Sequence, residues 1–153
     1  MVMTRRQLLR AIDAARVKEA IAKAEHRTSG EVMVSVAPLF WGSVEKAAQK
    51  AFVRLGVIHT KEHNGVLIFV VPSRKKFIVL GGSGIHAKVG QEFWESVAAQ
   101  LSGHFRKAEF TEGLVRAVEV IGEQLAAHFP YDGETDVNQL PDDIDFGTPR
   151  GER

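Results

Sequence analysis

The stretch NGVLIFVVPSRKKFIVLGG, Asn64 to Gly82, decides the fold of this chain. Val66 to Val71 is apolar at every position. A strand open to water on one side alternates apolar and polar residues. An unbroken apolar run this short suits a central strand covered on both faces. Asn64-Gly65 in front of it is a turn signal. Pro72-Ser73-Arg74-Lys75 is a tight connection, after which Lys76 to Leu80 returns as an antiparallel partner strand.

Upstream, Glu31 to Ala37 (EVMVSVA) is β-branched at Val32, Val34 and Val36 with period two, and Pro38 stops it. Between this strand and the central one, Ser43 can cap a helix. Ala47, Ala48, Ala51, Phe52 and Leu55 give that helix one apolar face, and Gly56 sits where a terminating glycine belongs. A strand–helix–strand unit of this kind is expected to be parallel and right-handed. Further upstream, Thr4 to Gln7 reads as a capping box. Leu8, Ile12, Val17, Ile21 and Ala24 recur behind it, so a first helix is expected from about Arg5 to His26, broken by Thr28-Ser29-Gly30.

Downstream of Gly81-Gly82-Ser83-Gly84, a third helix is expected from about Ala87 to Phe105, with Val89, Phe93, Val97 and Leu101 inward. A fourth is expected from about Thr111 to Phe129, with Leu114, Val118, Ile121 and Leu125 inward. The order is α-β-α-β-β-α-α. The expected class is α/β: a mixed sheet, with a parallel βαβ unit and an antiparallel hairpin, flanked by helices. One domain is expected over residues 1–147, including an acidic tail at 130–147, followed by a flexible end at 148–153.

The chain has 153 residues, 44% of them apolar and 25% charged, with a net charge of +1. These are ordinary globular values, and the length suffices for one core without staples. There is no cysteine, which excludes disulfides and thiolate metal sites. No apolar run approaches the roughly 20 residues of a membrane span. Met1 to Arg10 carries three arginines and no run of signal-peptide length. A cytoplasmic protein without membrane insertion is therefore expected. Residues 1–30 hold seven Lys/Arg against three Asp/Glu, while 131–147 hold six acids and no base. Without a clustered basic face, nucleic acid is not an expected partner.

Four motifs occur in order. They are Thr28-Ser29-Gly30-Glu31, Asn64-Gly65-Val66-Leu67-Ile68, Arg74-Lys75-Lys76-Phe77 and Gly84-Ile85-His86-Ala87-Lys88-Val89. Together they resemble the TPM domain family, often labelled TPM phosphatase. Phe110-Thr111-Glu112-Gly113-Leu114 and Asp136-Val137-Asn138-Gln139-Leu140-Pro141 resemble its short, stand-alone bacterial branch. The resemblance covers about residues 15–147. It implies a mixed sheet between helices, divalent-metal binding in some members, and the acid phosphatase activity of a plant thylakoid relative. Family members often carry Asp in the turn after the third strand, where this chain has Gly82.

The expected topology also gathers side chains. The starts of the two parallel strands and the end of the third meet at one sheet edge. That edge holds Glu31, Asn64, Gly82, Ser83, Gly84, His86 and Lys88. Glu31 and Asn64 offer the hard oxygen ligands that calcium or magnesium prefers. Gly82, Ser83 and Gly84 before a helix expose backbone N–H groups to an anion, with His86 and Lys88 beside them. The expectation is a divalent-cation site, calcium or magnesium, next to a pocket for a phosphate-containing small molecule. Two functional classes follow: a binding module that holds another protein, or a metal-dependent acid phosphatase-like hydrolase acting on phosphate esters.

Three other patterns lead nowhere. His59-Thr60-Lys61-Glu62-His63 matches the inverted zincin signature H-x-x-E-H, but it sits between Gly56 and Asn64-Gly65, too short for the helix that zinc binding needs. Asp132 to Asn138 has alternating oxygen side chains but lacks the sixth-position glycine of a calcium loop. Glu109 and Glu112 fall at the start of the fourth helix, where a capping role is expected.

Overall fold

A computed structural model of the chain describes residues 5–37, 42–131, 133 and 144–146. Thr4, Trp41, the side chain of Leu8, residues 148–153 and most of the acidic tail lie outside the described residues. The elements run α1 (Arg5–Ala11), α2 (Ala14–Glu25), β1 (Glu31–Val36), α3 (Val44–Arg54), β2 (Gly65–Val71), β3 (Lys76–Gly81), α4 (Ser83–Val89), α5 (Gln91–Arg106), α6 (Phe110–His128) and β4 (Ile144–Asp145).

The four strands form one sheet in the order β3-β2-β1-β4. β1 and β2 are parallel from Glu31↔Gly65 to Val36↔Val70. β2 and β3 are antiparallel from Val66↔Gly81 to Val71↔Lys76. The expected mixed α/β sheet is therefore present. β2 is buried along its whole length because it is central and covered on both sides. Val66, Ile68 and Val70 pack with Val32, Val34 and Val36 against α2, α5 and α6, in a core that includes Ile21, Leu101, Phe105, Leu114 and Ile121. Leu67, Phe69 and Val71 pack with Met33 against α3, through Val44, Ala48 and Ala51. The alternation of a strand sends successive side chains to opposite faces, so one apolar run serves both layers.

Two helices differ from the expected lengths. The first breaks at Ile12–Asp13 into α1 and α2. Asp13 caps α2 by accepting from the Arg16 N–H at 3.3 Å, and its own N–H donates to the Thr111 hydroxyl at 2.9 Å. A short acid with a local hydrogen bond competes with helix continuation. The third breaks at Gly90, whose φ of 76° only glycine adopts at no cost. That break separates α4 from α5.

β4 was not expected. Its partner residues are Val34↔Ile144 and Ser35↔Asp145. Asp145 accepts from the Ser35 hydroxyl at 2.8 Å and from Arg54 of α3 at 2.9 Å. At the start of β1 the Glu25 carboxylate accepts the Val32 N–H at 2.9 Å. A buried backbone donor left without such a partner would be costly.

No helix among the described residues is long and apolar enough to cross a membrane.

Candidate functional site

The leading edge of the sheet is assembled by main-chain bonds. The Glu31 N–H donates to the Asn64 carbonyl at 3.4 Å. The Gly82 N–H donates to the Gly65 carbonyl at 2.8 Å, and the Gly84 and Ile85 N–H groups share the His63 carbonyl at 2.8 and 3.2 Å. The end of α6 arrives at the same place. The Ser29 N–H donates to the Phe129 carbonyl at 3.0 Å, and the Thr28 hydroxyl donates to that carbonyl too. A Cβ on Gly30 would meet Leu125 of α6 at 2.7 Å. The starts of β1 and β2, the end of β3, the start of α4 and the end of α6 thus share one edge.

The side chains there divide by face. Glu31 is 2% exposed and Asn64 1%. Glu31 stands opposite Gly65, on the face that a Cβ at Gly65 would turn toward Val57 and Thr60. Asn64 lies on the other side of the chain alternation. Its amide Nδ2 is 3.5 Å from the Ser29 hydroxyl, and that hydroxyl donates to Glu62 Oε2 at 3.0 Å. Its N–H donates to the Thr60 hydroxyl at 3.1 Å. Glu31 and Asn64 therefore meet through the backbone, while Asn64, Ser29 and Glu62 meet through side chains. Sequence reasoning missed Glu62 because it lay inside the rejected His59–His63 pattern. That segment is indeed not an α-helix: Val57–His59 is a 3-10 turn, and His63 has φ 51°.

Gly82 and Gly84 have a mechanical reason to be glycine. A Cβ at Gly82 would lie 2.4 Å from the His63 carbonyl oxygen, and one at Gly84 would lie 2.1 Å from that of Glu62. Their N–H groups, with that of Ile85, are already spent on carbonyl oxygens. α4 has seven residues. Ser83, His86 and Lys88 are exposed on it, and the His86 ring lies stacked 6.4 Å from that of Trp94.

The donor set can be compared with the chemistry of a cation. Among the described residues no three His, Cys, Asp or Glu converge as a metal cage. Glu62, Ser29 and the Asn64 carboxamide supply hard oxygen donors of three kinds in one hydrogen-bonded row. That fits calcium or magnesium held weakly, with water completing the shell, and does not fit zinc.

The far end of the helices carries a second polar group. Arg16 hydrogen-bonds Glu112 across α2 and α6, and this bond holds the Glu112 carboxyl below its ordinary pKa. His104 Nδ1 lies 3.1 Å from Glu109. Glu109 occupies the cap position of α6 but makes no side-chain cap bond. Glu112 lies in the first turn of α6, as expected, and pairs with Arg16, while Glu109 hydrogen-bonds His104 instead of the helix end.

A family model described as the TPM domain matches residues 2–124. The BA42 protein of the psychrophilic bacterium Bizionia argentinensis, solved by NMR, is 31% identical. The match covers 96% of this chain and 97% of that one, with a TM-score of 0.80. Two further NMR structures share the fold. The N-terminal domain of cg2496 from Corynebacterium glutamicum is 13% identical, covering 81% of this chain and 76% of that one, with a TM-score of 0.59. The N-terminal domain of a P. gingivalis protein is 17% identical, covering 86% and 99%, with a TM-score of 0.61. No functionally curated protein matches the chain.

Proposed function

This chain belongs to the TPM domain family, and from that premise we propose that it is a binding module holding calcium or magnesium at the leading sheet edge. The observation that carries the reading is the row Glu62–Ser29–Asn64, whose oxygens lie on two loops locked together by the β1–β2 pairing. Glu62 supplies the charge, and Asn64 turns its carboxamide oxygen toward the ion in place of Nδ2. Glu31, on the opposite face of the same edge, does not reach the ion. With a single carboxylate in direct reach, affinity is expected in the weak range, on the order of 10⁻⁴ to 10⁻³ M. Gly82, Ser83, Gly84, His86 and Lys88 form the neighbouring wall, where a phosphate-containing molecule would lie against the metal rather than in a backbone cradle.

The test is calorimetric titration with calcium and then magnesium, with amide shifts followed by NMR. Binding in the stated range, lost in Glu62→Gln and Asn64→Ala, supports the reading. Absence of heat together with unmoved amides at Ser29, Glu62 and Asn64 removes it. Turnover of a generic phosphate ester that EDTA abolishes would replace the module with the phosphatase-like alternative.

A further inference from the structure

We propose that the trailing edge of the sheet, opposite the cation edge, holds a dianionic phosphoryl group in a cleft between the start of α3 and the turn from β2 to β3. β1 and β2 end together at this edge, Val36 beside Val70. The connections that leave them meet where Arg74 Nη1 donates to the Gly42 carbonyl at 2.8 Å. Between Gly42–Glu45 and Arg74–Ile78 lies a cleft of about 470 Å³. In open α/β sheets, the crevice beyond the carboxyl ends of parallel strands is where ligands bind. This site is independent of the cation proposed above.

Charge sets the class of ligand. Arg74, Lys75 and Lys76 line the cleft, with Glu45 as the one carboxylate among the lining residues. None of the four makes an ion pair among the described residues. Three positive charges against one negative leave a surplus of two. A carboxylate would neutralise half of that surplus, whereas a phosphate monoester carries about −1.5 to −2 at neutral pH. The N-terminal end of α3, on the other wall, adds the positive end of its dipole to the same field.

Arg74 gives the site its geometry. It is half-buried, and its bond to Gly42 fixes one Nη. The rest of its N–H fork is unbonded among the described residues. Such a fork matches two oxygens of one phosphoryl group. Lys75 supplies a separate indication. The turn takes it through left-handed backbone, φ 52° and ψ 38°, closed by its N–H on the Pro72 carbonyl at 3.0 Å. Glycine adopts that backbone at lower cost, so the turn itself does not call for a lysine. The group is held rather than cleaved: the cleft is lined by no histidine, and its one hydroxyl, that of Ser43, is spent on the Lys46 N–H.

The test is titration with inorganic phosphate and with phenyl phosphate in EDTA, followed by amide shifts, with chloride at equal ionic strength as the control. EDTA removes any metal-dependent phosphate from the leading edge, so the two sites are read apart. Saturable shifts at Gly42–Glu45 and Arg74–Ile78 are expected, with a Kd on the order of 1 mM, and none at Ser83–Lys88. Arg74→Lys keeps the charge and loses the fork, so affinity is expected to fall about tenfold. Lys75→Gly is expected to melt close to the wild type yet bind several-fold more weakly. Vesicles identify the source of the group. Capture by phosphatidic acid in phosphatidylcholine, but not by phosphatidylserine, makes it a lipid headgroup; capture by neither, with the shifts present, makes it a soluble ester. Capture by both overturns the preference for a phosphoryl dianion. Shifts that chloride reproduces, or that Arg74→Lys and Lys75→Gly leave unchanged, overturn the site. So does the absence of shifts in the wild type, whether or not a variant folds.

Discussion

Among the described glycines, Gly84 leaves the least room for a Cβ, and this makes a sharp prediction. A Cβ built there lies 2.1 Å from the Glu62 carbonyl oxygen and 2.9 Å from that of His63, both main-chain atoms with no rotamer to yield. Relief requires α4 to back away. That stretches the bonds from the Gly84 and Ile85 N–H groups to the His63 carbonyl. Overpacking costs about 1–3 kcal/mol, and two weakened hydrogen bonds add about 1–2 kcal/mol. Alanine's better helix propensity returns about 1 kcal/mol. Gly84→Ala is therefore expected to destabilise by about 1–4 kcal/mol. At about 2–4 °C per kcal/mol for a chain of this size, the melting temperature falls by about 2–16 °C. Gly103→Ala is the matched control. It lies inside α5 with nothing within 4 Å of its Cβ, so alanine is expected to stabilise by about 0.5–1 kcal/mol. Thermal melts followed by circular dichroism and calorimetry read both. A Gly84→Ala protein melting at or above the wild type would refute the close approach. It would return the glycine-rich turn to a ligand-cradling role.

Further expectations concern packing, the β1 start and pH. Phe105, 1% exposed, sits edge-on to both Phe77 and Phe110; Phe105→Ala is expected to cost about 3–5 kcal/mol in denaturant unfolding. Glu25→Ala orphans the buried Val32 N–H and is expected to cost about 1–3 kcal/mol; faster amide exchange confined to the start of β1 would mark the cause, and an unchanged Val32 rate would count against it. Glu112 has a depressed pKa in the fold. Its contribution is therefore present above the unfolded glutamate value of roughly 4.3 and is lost as pH falls through the folded value. Melting temperature measured from pH 6 down to pH 3 should fall slightly further for the wild type than for Glu112→Gln, and salt should shrink the difference, because the pair is exposed.

The continuous apolar run Val66–Val71 was legible as a central strand because burial on both faces leaves no polar position to alternate with. The return of Lys76–Leu80, the period-two Val32–Val34–Val36 strand and the Ser43-capped helix were equally local signals. Topology then follows from short connections and handedness, so the meeting of Glu31, Asn64 and Gly82–Gly84 at one edge could be stated from the sequence. What the sequence left undecided was orientation within that edge. Glu31 and Asn64 each read as an oxygen donor, yet a shift of one residue in the alternation sends them to opposite faces, and only the Glu31↔Gly65 register fixes that.

Tertiary structure alone decided the features with weak local codes. Gly82 and Gly84 read as backbone donors at a turn; the loop at Glu62–His63, which leaves no room for a Cβ at either, is distant in pattern and comes from the fold. Glu62 entered the site through Ser29, 33 positions away in the chain. β4 has two residues and little pattern of its own; it exists because Ser35 and Arg54 hold Asp145 beside β1. Hydrophobic periodicity and turn chemistry are carried by neighbours in sequence. Side-chain direction, close backbone approach and long-range hydrogen bonds depend on atoms that only folding brings together.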